Sequence, residues 1–212
     1  MQSLKLVLIR HGETDLNKDG LILGLTNAPL NDTGRIQAVG VSNALIHEFP
    51  FILYTSPLSR ALETACIISS RMNINSTPLN GLQEADAGLL DELSPTDISD
   101  LYPTFATQWR CNPSTARMPG GESLVEVQKR GWETVIQMIS GCNTETVVAV
   151  THNFLIRTIV CKALDIPLNN FRQLQLDLGS ITQLDLSSPT PTLLSFNETA
   201  HFKKMQIFPE GC

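Results

Sequence analysis

The chain has no run of lysine and arginine, no Cys-x-x-Cys pair and no apolar stretch that approaches a membrane span. Each absence removes a class of function. A nucleic-acid binder ordinarily carries a basic face. Here Lys and Arg number 15 against 21 Asp and Glu, for a formal net charge of −6, so no nucleic-acid partner is expected. Cys66, Cys111, Cys142, Cys161 and Cys212 are odd in number and fit neither a disulfide framework nor a zinc spacing. Reduced thiols in a cytoplasmic compartment are the simplest account. The first apolar run, Leu4 to Ile9, is too short for a signal-peptide core and Arg10 ends it. A cytoplasmic protein without a membrane partner is therefore expected.

What is present has the pattern of an α/β domain. The 212 residues suffice for one sizeable core, and a single domain over 1–212 is the expectation. Leu4 to Ile9 is mostly apolar with no helical period and reads as a buried strand. Leu16 to Leu30, rich in Gly, Asn and Asp, should be a loop over the sheet edge. Asn31, Asp32 and Thr33 offer N-cap side chains for a helix through Ile36, Val39 and Leu45. Phe51 to Thr55 is a second strand. Ser56 can cap the helix after it, with Pro57 at the first helical position. Ile74 to Thr77 is a third strand. Residues 93–121, interrupted by prolines and carrying Phe105 and Trp109, read as an insertion able to serve as a lid. Glu122 to Ile139 is a longer helix, with Met138, like Met72 earlier, assigned to the core. Thr146 to Thr151 is the clearest strand in the chain, and a helix through Leu155, Ile159, Val160 and Leu164 follows it. Leu174 to Leu176, Ile181 to Leu186 and Leu193 to Phe196 should add short antiparallel strands. The sum is a three-layer α/β/α sandwich, with a mostly parallel sheet and an antiparallel C-terminal edge.

Three strand-to-helix junctions carry similar cargo. The first presents Arg10 and His11, with Gly12 allowing a close backbone approach. The second presents Arg60 at a helix amino end, where amides attract anions. The third presents His152. Parallel strands bring their carboxyl ends together, where ligands of open α/β sheets bind. Two arginines and two histidines at that edge make an anion site, because guanidinium matches phosphate oxygens bidentately. His47 and His201 end no such strand and read as surface residues.

Five segments in order give this pattern a family likeness. Arg10-His11-Gly12-Glu13-Thr14 with Asn17 resembles the signature of the histidine phosphatase superfamily, the branch that includes the cofactor-dependent phosphoglycerate mutases. Ser56 to Ala65 resembles its second arginine motif, Leu82 to Gly88 its acidic motif, and Pro119-Gly120-Gly121-Glu122-Ser123 its substrate-side loop. Val150-Thr151-His152 with Ile156-Arg157 resembles its second histidine motif. The likeness covers residues 4 to about 184.

The resemblance implies a metal-independent phosphomonoesterase with no cofactor and a small phosphate ester as its partner. It implies His11 as nucleophile, Arg10, Arg60 and His152 around the phosphoryl oxygens, and Glu84 as general acid and base. Asn17, Leu23, Gly24, Thr26 and Asn153 become candidate substrate contacts. Three positions depart from the family's usual pattern: Asn153 stands where Gly is common, Leu90-Asp91-Glu92 replaces Trp-Glu-Gly, and Leu23 replaces Gln. All three fall where the rest of a substrate should lie, so the pattern names no substrate. Two other readings of the same fold are phosphoglycerate-mutase-type transfer and a non-catalytic phosphoester-binding module. The first calls for a cation-rich insertion after the acidic motif. Leu93 to Met118 holds only Arg110 and Arg117 as cations, against Asp97 and Asp100.

Overall fold

In the computed structural model, which describes residues 4–140 and 144–205, the chain begins β1 (Lys5–Arg10), α1 (Asp15–Lys18), α2 (Asp32–Leu45), β2 (Ile52–Thr55), α3 (Ser59–Met72) and β3 (Ser76–Pro78). It continues α4 (Pro95–Leu101), α5 (Pro103–Cys111), α6 (Leu124–Ile139), β4 (Thr146–Thr151), α7 (Asn153–Ala163), β5 (Ile181–Asp185), β6 (Thr192–Glu198) and α8 (Ala200–Met205). The six strands form one sheet in the order β3-β2-β4-β1-β5-β6. The pairs β3–β2, β2–β4 and β4–β1 are parallel, while β5 runs antiparallel to both β1 and β6.

The apolar runs occupy the middle because both faces of the sheet are covered. Leu6 and Leu8 of β1, with Val147 and Ala149 of β4, pack toward Val127 and Val135 of α6 and Leu155 and Ile159 of α7. The alternate residues, Val7, Ile9, Val148 and Val150, pack toward Val41 and Leu45 of α2 and Ala61, Ala65 and Ile68 of α3. A strand buried on both faces has no polar side to alternate with. Each fully buried aliphatic side chain contributes roughly 1.5–3 kcal/mol. The expected three layers with an antiparallel edge are therefore what the chain builds.

Four local expectations are corrected. α3 starts at Ser59 with Leu58 as N-cap, so Pro57 does not occupy its first position. Ser56 does not cap it, because the Ser56 hydroxyl is engaged by the Leu58 amide at 3.3 Å and by His152 Nε2 at 2.7 Å. Leu174 to Leu176 is not a strand: a 3-10 helix runs Leu168–Gln173, with Phe171 buried as its anchor, and the edge of β1 is taken by β5. The Leu16 to Leu30 loop holds one helical turn, α1, closed by a capping box between Thr14 and Asn17. His201 is buried, its Nε2 donating to the Gly179 carbonyl at 3.0 Å, because α8 packs against α2.

Residues 93–121 form α4 and α5, with Ile98, Phe105, Ala116 and Met118 packed into the core on the α6–α7 side. Met138 is buried and Met72 half-buried. Cys66 and Cys111 are exposed and Cys161 is buried, all three unpaired; Cys142 and Cys212 lie outside the described residues. Among the described residues, no helix is long and apolar enough to cross a membrane.

Candidate active site

The parallel register brings the junctions together. Arg10 pairs with Thr151 across β1 and β4, so His11 and His152 emerge level with each other. Their ring centroids lie 5.0 Å apart at 56°. Thr55 pairs with Val150 across β2 and β4, and α3 then brings Arg60 in its first turn. His11, Arg60, Glu84 and His152 are all buried.

The closeness expected of Gly12 is real, but its partner is the protein itself. A Cβ on Gly12 would meet the Gly34 carbonyl oxygen at 2.4 Å. Glycine there lets the amino end of α2 press against the loop after β1.

His11 has a fixed tautomer. Its Nδ1 lies 2.7 Å from the Gly12 carbonyl, which can only accept, so Nδ1 carries the proton. Nε2 is left with its lone pair, and Arg60 Nε donates to it at 3.2 Å. Burial first, then the Arg60 and Arg10 charges, hold the ring well below the usual histidine range; the Gly12 bond opposes them. The imidazole is therefore neutral at neutral pH.

Arg60 sits in a collar. Its Nη1 donates to the Thr26 carbonyl at 2.8 Å and its Nη2 to the Gly24 carbonyl at 2.7 Å. The same loop is fastened from behind by Asp91, whose carboxylate accepts from the Gly24 amide at 2.7 Å and the Thr26 amide at 2.9 Å. Glu92, where the family pattern has Gly, adopts a left-handed backbone at φ 64° and accepts from the Thr26 hydroxyl. Arg10 donates through Nη1 to the Leu176 carbonyl at 2.6 Å. Burial lowers both guanidiniums to about 10, which leaves them cationic at neutral pH.

Glu84 faces them across the site. Its carboxylate accepts from the Ala85 amide at 2.9 Å and from the Phe154 amide, in the first turn of α7, at 3.1 and 3.2 Å. Burial raises its pKa above the usual carboxylate range, against the pull of those amides and of Arg60 and Arg10. His152 is held well below the usual range by burial, Arg60 and His11. Two buried nitrogens of this group, Arg10 Nε and His152 Nδ1, have no protein hydrogen-bond partner. An unsatisfied buried polar group costs about 1–3 kcal/mol, and a polar ligand bound here would supply partners for both.

The remaining candidates lie on the segments that carry this group. Asn17 is half-buried, and its Oδ1 accepts from the Thr14 amide and hydroxyl, which leaves its side-chain amide as the group able to donate. Leu23 is buried beside Gly24. Asn153 opens α7 and is half-buried.

Three positions escaped the sequence reading. Ser56 sets the orientation of His152. Asp91 braces the Arg60 collar. Arg130, on α6, makes a two-point ion pair with Glu122 at 2.8 Å through Nε and Nη2. Arg130 also donates to the carbonyls of Gly81, Gln83 and Glu84 at 3.1, 2.9 and 2.7 Å. Glu122 in turn accepts from the Asp86 amide at 2.9 Å. The loop carrying Glu122 therefore anchors the segment that bears Glu84. The Glu122–Arg130 spacing of eight residues was the available signal, but nothing local distinguishes it from a surface pair.

A 204-residue match to phosphoserine phosphatase 1 of Hydrogenobacter thermophilus is 27% identical and covers 96% of this chain and 97% of that protein. The structure of a mycobacterial glucosyl-3-phosphoglycerate phosphatase in complex with VO3 superposes with a TM-score of 0.84 at 29% identity, over 92% of this chain and all of the other. YhfR of Bacillus stearothermophilus superposes with a TM-score of 0.88 at 27% identity, over 93% and 98% of the two chains. The family model matching residues 6–199 is that of the histidine phosphatase superfamily, branch 1, and it is to this family that the chain belongs.

Proposed function

We propose that this chain hydrolyses a small-molecule phosphomonoester in two steps, through a phosphohistidine on His11. The observation that carries the reading is the state of His11: neutral, its Nδ1 proton held by Gly12, its Nε2 lone pair directed at Arg60. A phosphoryl group arriving between them takes the Arg60 Nε–H onto one of its oxygens and presents phosphorus to Nε2. Arg10 Nε and His152 Nδ1, both without a partner, are donors for the remaining oxygens, and the Asn17 side-chain amide is a further candidate donor. His152 can donate through Nδ1 when its Nε2 accepts from Ser56. These donors stabilise the charge that spreads over the phosphoryl oxygens during transfer.

In the first step the P–N bond to His11 forms as the P–O bond to the leaving group breaks. Glu84, kept protonated more readily by burial, gives its proton to the departing alkoxide. In the second step the Glu84 carboxylate takes a proton from water as the water oxygen bonds to phosphorus and the P–N bond to His11 breaks. Inorganic phosphate leaves, and His11 and Glu84 return to their starting forms. The phosphatase activities named for the relatives support a hydrolase. The alanine variant at His11 tests the reading. His11→Ala should abolish both turnover and acid-labile phosphoprotein labelling, and label persisting in that variant would refute it.

A further inference from the structure

A cavity of about 270 Å³ lies under α4 and α5, walled by Ile22, Ile98, Phe105, Trp109, Met118 and Phe154. It borders the site at Phe154. Phe154 presents its ring to the cavity and its amide to the Glu84 carboxylate. Ile22 and Leu90 line it, and each adjoins a part of the Arg60 collar: the Gly24 carbonyl lies two residues beyond Ile22 and Asp91 one beyond Leu90.

The walls are preformed. Trp109 stacks on Phe105 at 5.6 Å and meets Phe154 and Phe171 edge-on at 5.9 and 5.5 Å. The polar side chains at the cavity are few. The Ser99 hydroxyl donates to the Pro95 carbonyl at 2.9 Å, and the exposed Arg110 reaches the Ala106 carbonyl at 3.4 Å. No carboxylate lines it. An ammonium group placed there would lose its hydration without gaining a partner, as would most hydroxyls of a sugar.

We infer that this cavity receives the leaving group, and that the preferred substrate is a phosphomonoester of an alcohol bearing an apolar ring. The inference rests on the phosphatase reading above. A cavity of roughly 150 Å³ holds a benzene ring, so this one has room for one ring or two fused ones.

The test compares ethyl phosphate, 2-phenylethyl phosphate and O-phosphoserine with the full chain. All three are esters of primary alcohols, so the demand on the general acid is similar. The kcat/KM for 2-phenylethyl phosphate should exceed that of the other two by on the order of tenfold to a hundredfold. Ile98→Gln, which puts an amide in the wall, should bring the phenylethyl-to-ethyl ratio toward one. That ratio is taken within one preparation, so partial misfolding of the variant does not alter it. In a second arm, 3-phenylpropylphosphonate should perturb tryptophan fluorescence in the wild type and not in Trp109→Phe, while propylphosphonate perturbs neither. A ratio near one in active wild-type enzyme, preference for phosphoserine, or a ratio unmoved by Ile98→Gln would overturn the inference alone. Failure to hydrolyse any ester, nitrophenyl phosphate included, would instead overturn the phosphatase reading on which it stands.

Discussion

Glu84→Gln separates proton transfer from everything else the side chain does. The substitution keeps an oxygen that can accept from Ala85 and Phe154, the two amides that now hold the carboxylate. It removes the ability to give and take a proton, and with it the charge that faces Arg10 and Arg60. A buried carboxylate facing Arg10 and Arg60 carries opposing terms, burial against ion attraction, so the neutral isostere should change stability little, within about 1 kcal/mol. General acid–base catalysis is worth roughly 10²- to 10⁴-fold, and that range is the loss expected in kcat/KM for an alkyl phosphate. Nitrophenyl phosphate needs little protonation as its leaving group departs, so its kcat/KM should fall less than tenfold by the same reasoning. Its second step still lacks a base for water. Rapid mixing should therefore show a burst of nitrophenol stoichiometric with enzyme, followed by slow turnover. Equal losses in kcat/KM for both esters, with no burst, would mean that Glu84 positions the substrate and transfers no proton.

The His11 ring should stay neutral as pH falls through 6.5, because burial, Arg60 and Arg10 depress its pKa; ring ¹⁵N shifts that titrate near 6.5 would contradict this. The unfolded chain takes up the proton first, so stability present above that pH is lost as pH falls toward the folded-state value, and His11→Asn should flatten the loss. Arg130→Gln removes a partly buried ion pair and three carbonyl contacts and should cost about 2–3 kcal/mol in urea unfolding. It should also lower activity on alkyl phosphates more than on nitrophenyl phosphate, because the Glu84 segment is released; proportional losses would assign Arg130 a purely structural part. Arg10 and Arg60 bring positive charge to the phosphoryl group, so EDTA should leave the rate unchanged, and a loss restored by a divalent cation would refute that assignment.

What the sequence made legible was whatever depends on a strand and the residue after it. β1 and β4 are apolar at nearly every position because both faces are covered, and that alone marks them as central. Their carboxyl ends deliver His11 and His152, and a parallel register must place them side by side. The second junction shows the limit of local reasoning. Ser56-Pro57 has the composition of a helix start, yet the helix begins at Ser59. The Ser56 hydroxyl is claimed by a histidine 96 positions later in the chain, and no local signal reveals that competition. Leu174 to Leu176 has a strand's composition too, but Leu174 caps a 3-10 helix and the edge of β1 is occupied by β5.

The bracing of the site is the part that composition and periodicity could not show. Asp91 stood out only as a departure from a familiar pattern, and Glu92 only as a residue where Gly is common. Folding gives the pair a joint purpose. Asp91 fastens the amides of Gly24 and Thr26 so that their carbonyls face Arg60, and Glu92 accepts the left-handed backbone that the turn requires. A guanidinium with both Nη groups committed in this way does not drift, so its Nε stays aimed at His11. Glu84 is fixed by the opposite device, with amides on its carboxylate and Arg130 on its own carbonyl. The electrophilic and acid–base halves of the site are thus braced from two sides, by the loop before α2 and by α6, and are joined by the attraction between Arg60 and Glu84. Substitutions that weaken Arg60 and Glu84 together should therefore depart from the sum of the single effects in free energy, as a double-mutant cycle would measure.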